Sequence, residues 1–102
     1  MSVEYTVTIK RSALKSLENL PEAAQDRLVI LEEVLRMAGP TGPSKWKNYS
    51  PLKGKKNQKL YHCHLSEGHQ YVACWEYFKK SIVIEIYYIG PHPSGKYPTN
   101  RP

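Results

Sequence analysis

The stretch 59–89, KLYHCHLSEGHQYVACWEYFKKSIVIEIYYI, decides the fold of this chain. It holds three apolar-rich runs, Lys59 to Leu65, Gln70 to Phe78 and Ile82 to Ile89. Ser66-Glu67-Gly68-His69 and Lys79-Lys80-Ser81 separate them and have the composition of hairpin turns. Three consecutive strands joined by tight turns form an antiparallel meander. Alternation then sorts the side chains. Ile82, Ile84, Ile86 and Tyr88 form the expected core face of the last strand, with Val83, Glu85, Tyr87 and Ile89 opposite. In the first strand Tyr61, Cys63 and Leu65 are the more apolar set, and Leu60, His62 and His64 lie opposite. With Glu67-Gly68 as a two-residue turn, Cys63 faces Val72, and His62 and His64 share a face with Tyr71, Ala73 and Trp75. A slip of one residue would reassign the second strand.

Working outward, Val3 to Ile9 alternates as a strand, with Val3, Tyr5, Val7 and Ile9 on one face. Ser12 reads as a helix N-cap, and Leu14, Leu17 and Leu20 follow at helical spacing. Pro21 suits the first turn of a second helix. Ala24, Leu28, Leu31 and Leu35 make one apolar stripe, which Gly39-Pro40 ends. Pro40 to Lys59 reads as a basic loop and Pro91 to Pro102 as a tail ordered only near its start. The expected fold class is α+β: a strand, a helical hairpin and a three-stranded antiparallel meander, forming one sheet packed on the helices. One domain is expected over residues 1–97, with 98–102 as a C-terminal tail.

The chain has 102 residues and a net charge of +6. The charge is −2 over residues 1–33, +7 over 34–66 and +1 over 67–102, and the middle window has no acidic residue. Such a block favours a polyanionic partner, although a lysine-rich loop can also serve solubility alone. No run is apolar enough to span a bilayer, and the N-terminal segment does not resemble a signal peptide. A cytoplasmic protein without membrane association is expected. Cys63 and Cys74 fit that setting as reduced, buried and inert thiols, and no metal-ligand spacing surrounds them.

The first and third meander strands run in the same direction, so His92 should approach the end of the sheet that carries His64 and Gln70. Tyr97 and Lys96 follow within reach. RNA can be cut without metal when the 2′-OH attacks the adjacent phosphate. That reaction needs a base for the 2′-OH, an acid for the leaving 5′-oxygen and cations for the developing charge. His62, His64 and His92 are the candidate proton-transfer groups, and Gln70 and Lys96 candidate phosphate contacts. Tyr71 and Tyr87 are candidates for stacking on an unpaired base. The plain reading of His62 and His64 is a solvated strand face; that of His92, between two prolines, is a turn.

Leu52-Lys53-Gly54, Tyr61-His62-Cys63-His64-Leu65, Tyr71-Val72-Ala73-Cys74-Trp75-Glu76, Tyr87-Tyr88-Ile89-Gly90 and His92 with Tyr97 together resemble the RelE/ParE toxin superfamily, in particular its RelE/HigB-like branch. The resemblance covers about residues 3–97. It implies a type II toxin–antitoxin toxin that acts as a metal-independent, ribosome-dependent mRNA endoribonuclease without a small-molecule cofactor. The implied partners are mRNA on the ribosome and a cognate antitoxin. It also implies that Lys53, Lys55, Lys56 and Lys59 bind phosphate and that His92 and Tyr97 carry acid/base or stacking roles. Members of the family place arginines on the second meander strand and near the chain end. Here Gln70 or Tyr71 stands at the strand position, and no arginine occurs between Arg36 and Arg101. A ParE-like gyrase inhibitor and a non-catalytic nucleic-acid-binding relative are the alternatives.

Overall fold

The computed structural model describes residues 4–66 and 70–100. The elements run β1 (Thr6–Ile9), α1 (Arg11–Leu17), α2 (Glu22–Ala38), β2 (Ser50–Leu52), β3 (Lys59–His64), β4 (Tyr71–Phe78) and β5 (Val83–Pro91). Among the described residues one five-stranded sheet has the order β1-β5-β4-β3-β2. The β1–β5 pair is parallel; the other pairs are antiparallel. This is the expected α+β class, with β2 as an additional edge strand inside the segment expected to be loop. Val3, His69 and the Glu67-Gly68 turn lie outside the described residues.

The apolar stripe of α2 packs as its spacing predicts, for Ala24, Leu28, Leu31 and Leu35 are all buried. They meet Cys63, Leu65, Ala73, Trp75, Ile84, Ile86 and Ile89 from one face of the sheet. Gly39 closes α2 with φ 88°, and a Cβ there would stand 2.8 Å from the Tyr5 ring. Glycine therefore meets both the backbone and the packing demand. α1 departs from expectation. Lys10, rather than Ser12, is the N-cap, and it makes no side-chain capping bond. Ala13 is the buried residue of α1, while Leu14 is 47% exposed.

Two register features change the assignment of faces. Cys63 pairs with Ala73, not Val72, and His62 pairs with Cys74. The one-residue slip sends Tyr71, Ala73 and Trp75 to the helix side and Val72, Cys74 and Glu76 to the histidine side. Trp75 is fully buried and donates its indole N–H to the carbonyl of Pro40 at 3.0 Å. In β5, Ile86 pairs with Trp75 and Tyr88 with Cys74, so Tyr87 is the extra residue of a β-bulge. Beyond the bulge the alternation is reversed. Ile89, expected on the open face, joins the helical core, and Tyr88, expected in the core, joins Tyr87 opposite.

The C-terminal segment is also more ordered than its composition suggests. Tyr87 donates its hydroxyl to the carbonyl of Pro98 at 2.7 Å. The Asn100 amide donates to Glu76 at 2.8 Å and Glu85 at 2.7 Å, while its oxygen accepts from Lys10 at 2.8 Å. Gln58 donates to the carbonyl of Asn100 at 3.1 Å. Residues 98–100, expected to trail away, thus cross the sheet face opposite the helices. Glu76 and Glu85 are directly opposed across β4 and β5. The Asn100 amide between them supplies donors where two like charges would otherwise face each other.

Candidate functional site

The sheet end formed by β3 and β5 gathers the imidazoles. β3 carries His62 and His64 on the face away from the helices, and β5 ends so that the His92 amide donates to the Gln70 carbonyl at 2.9 Å. The ring centroids of His64 and His92 are 5.3 Å apart, and those of His62 and His64 6.3 Å. The tail then folds Tyr97 back over β3, with its ring centroid 4.1 Å from that of His62. Its hydroxyl lies 2.8 Å from His92 Nε2.

The hydrogen bonds assign roles within this cluster. His92 Nδ1 lies 2.8 Å from the carbonyl oxygen of Pro93, which can only accept, so Nδ1 carries a proton. In the neutral imidazole Nε2 is then the acceptor, and the Tyr97 hydroxyl donates to it. Burial first, and the nearby Cys74 second, push the Tyr97 hydroxyl above the ordinary tyrosine value. The phenol keeps its proton near neutral pH.

His62 and His64 are not on a solvated face, for they are 6% and 2% exposed. The His62 Nδ1–H donates to the carbonyl of Ser50 at 3.1 Å, and the Ser50 hydroxyl is 3.2 Å away. Burial lowers the His62 pKa; the Ser50 carbonyl opposes the shift, and His64 and His92 add to it. His62 is therefore a neutral imidazole at neutral pH. Asn48 Nδ2 lies 3.3 Å from the ring nitrogens of His64. Ser50 and Asn48 were not singled out in the sequence. Both depend on β2, which is three residues long and contains Pro51, so it has almost no pattern to detect.

The lysines divide into two groups. Lys53, Lys55, Lys56 and Lys59 are exposed, and they cluster where β2 ends and β3 begins. The five residue-to-residue steps from Lys59 to His64 span about 17 Å at roughly 3.3 Å per step. Lys59 begins β3 and His64 ends it, while Tyr97 and Leu52, the residue before Lys53, pack against the same Leu60, Cys74 and Tyr87 cluster. Lys47 is near the imidazoles, since its carbonyl accepts from the His64 amide at 3.1 Å. Lys96 and Gln70 are exposed beside the cluster. Of the stacking candidates, Tyr71 faces the helix side and Tyr87 is 6% exposed under the tail. Neither offers a ring to a base on the histidine face, because the register slip moved the first and Pro98 covers the second. Burial pushes both Cys63 and Cys74 up to about 12, which leaves them unreactive thiols.

A cleft of about 630 Å³ opens next to His64, between the start of α2 and the β3–β4 connection. Arg27 and Lys47 are among its lining residues. Among the described residues no helix is long and apolar enough to cross a membrane.

No family model matches the chain, and no curated protein matches it. Solved structures do. RelE in the archaeal RelE–RelB complex from Pyrococcus horikoshii aligns with a TM-score of 0.73 at 25% identity, over 90% of this chain and 99% of that chain. The isolated RelE toxin of E. coli aligns at 0.63 and 20% identity, over 89% of this chain and 87% of that one. A chain of the toxin–antitoxin complex RelBE2 from Mycobacterium tuberculosis aligns at 0.50 and 15% identity, over 87% and 92%. These likenesses bear out the resemblance carried by the strand phrases.

Proposed function

We propose that this chain, which carries the RelE toxin fold, is the toxin of a toxin–antitoxin pair and cuts mRNA on the ribosome by attack of a 2′-OH on its adjacent phosphate. The observation that carries the chemistry is the Tyr97–His92 hydrogen bond at 2.8 Å beside His64. A protonated phenol backed by an imidazole is a proton relay aimed from the rim of the sheet. When His92 is protonated it passes its Nε2 proton to the Tyr97 oxygen, and the Tyr97 hydroxyl proton goes to the leaving 5′-oxygen. His64 takes the proton of the attacking 2′-OH. His62 stays neutral and holds the Tyr97 ring. Lys96, exposed beside the cluster, supplies positive charge for the phosphorane, in the absence of strand arginines. The exposed lysines of the basic loop hold RNA backbone.

The partner in this reading is an antitoxin that covers the face crossed by the tail. Two of the matched structures are toxin–antitoxin complexes. The test is induced expression followed by mapping of transcript ends. Arrest with cuts in translated mRNA, relieved by His92→Ala, is the expected outcome. Intact transcripts in arrested cells would remove the assignment, and DNA damage with intact transcripts would point to gyrase inhibition instead.

One observation favours a second reading. The lack of any arginine between Arg36 and Arg101 suits a nucleic-acid-binding protein without catalysis. RNA binding that falls steeply with salt, without cleavage on ribosomes, would select it.

A further inference from the structure

The register slip places Tyr71 where the nuclease reading has no use for it, facing α2 at the mouth of the cleft beside His64. That cleft combines an aromatic ring, two cations and two neutral hydrogen-bonding side chains. Arg27 enters from α2, Lys47 from the segment before β2, and Ser66, Gln70 and Tyr71 from the β3–β4 end; His64 forms part of the wall toward the imidazole cluster. No Asp or Glu is among its described lining residues. Arg27 is anchored at the rim, for its guanidinium lies 4.6 Å above the ring of Trp46, the neighbour of Lys47 in the chain. At about 630 Å³ the space is within the ~300–1,000 Å³ typical of small-ligand sites. Ala24, Leu65 and Pro21 make the remaining wall apolar.

Each part matches a part of one ligand class. A nucleobase needs an aromatic face and amide or hydroxyl groups for its edge, which Tyr71, Gln70 and Ser66 provide. Its phosphate needs cations, which Arg27 and Lys47 provide. We propose that the cleft is a nucleotide subsite holding one unpaired RNA residue next to the scissile phosphate, with the base against Tyr71 and the phosphate between Arg27 and Lys47. The proposal rests on the nuclease reading for its substrate. It assigns base discrimination to the helix side of the sheet end and gives α2 a part in substrate binding. His64, shared by the cleft and the imidazole cluster, connects recognition to chemistry.

The test is titration of the full-length, isotope-labelled protein with adenosine 5′-monophosphate, followed by nuclear magnetic resonance, with inorganic phosphate as the second probe. The expected result is perturbation of the Ser66, Gln70 and Tyr71 amides and the Arg27 side chain by the nucleotide, and roughly tenfold weaker binding of phosphate, the scale of one stacked base. Arg27→Ala, at an exposed position, should weaken nucleotide binding by about tenfold with the fold intact, and Arg27→Lys should restore part of it. Perturbations confined to the lysine loop, or an unchanged affinity in Arg27→Ala, would overturn the subsite. Nucleotide binding in the cleft by a protein that never cleaves mRNA on ribosomes would keep the subsite and remove the nuclease. Cleavage with a cleft that ignores the nucleotide would do the reverse.

Discussion

Replacing Tyr97 by phenylalanine separates the proposed chemistry from the fold. The substitution deletes one hydroxyl, the group 2.8 Å from His92 Nε2, and keeps the ring that packs 4.1 Å from His62. His92 is exposed, so water can replace the lost donor. The stability cost should therefore be at the low end of a single hydrogen bond, about 0.5 kcal/mol. For a domain of this size that is a fall in Tm of about 2–4 °C. The catalytic cost should be far larger, because a positioned general acid contributes roughly 10²–10⁴ in rate. Tyr97→Ala adds loss of the half-buried ring from the Leu60, Cys74 and Tyr87 cluster, and should cost about 2 kcal/mol more in stability. The assay is single-turnover cleavage of a defined mRNA on programmed ribosomes, with thermal unfolding of each variant in parallel. A phenylalanine variant that cleaves within threefold of the parent would refute the relay, whatever the alanine variant does. A phenylalanine variant that loses both rate and more than about 10 °C in Tm would show that the hydroxyl holds the tail rather than moves a proton.

Four further outcomes follow from the same geometry. Because His62 is held below its ordinary pKa, the unfolded chain binds more protons than the folded one below about pH 6.5; stability should fall as pH drops through that point, by at most about 1.4 kcal/mol per pH unit, and His62→Gln should flatten the denaturant midpoint against pH. Leu28→Ala, at a position with 0% exposure on α2, should cost about 2–5 kcal/mol in chemical denaturation. Asn100→Ala removes the amide between Glu76 and Glu85 and should cost about 1–2 kcal/mol, partly recovered at high salt as the two carboxylates are screened. Lys55→Gln and Lys56→Gln should each lower the slope of log affinity for RNA against log salt by about 0.7, read from binding titrations across a salt series.

What could be read from the sequence and what could not divide along a physical line. The α2 stripe was legible because Ala24, Leu28, Leu31 and Leu35 fall on a period that only a helix satisfies, and burial followed. The approach of His92 to His64 was legible because parallel strand directions follow from counting hairpins, whatever the register. Faces were harder. Alternation assumes an unbroken period of two, and the extra Tyr87 in β5 breaks it where the two tyrosines turn toward the tail. The β3–β4 register depends on turn geometry that composition does not specify, and the expected pairing was off by one residue.

These two irregularities shape the candidate site. With unbroken alternation, Tyr88 would enter the helical core and Ile89 would face the tail. The bulge instead sets Tyr87 and Tyr88 together on the tail side, where Tyr87 holds the Pro98 carbonyl just after Tyr97. The slip removes Tyr71 from that crowded face and places it at the cleft with Arg27. One irregularity thus helps hold the tail that carries Tyr97, and the other furnishes the adjoining pocket with its aromatic ring. A segment that reads as proline-rich coil from 91 to 100 gains its order from those tertiary contacts: a hydroxyl on the bulge, two opposed carboxylates and a lysine from the end of β1. None of these has local sequence spacing, so periodicity has no access to them, and they bring the chain end onto the sheet beside the histidines.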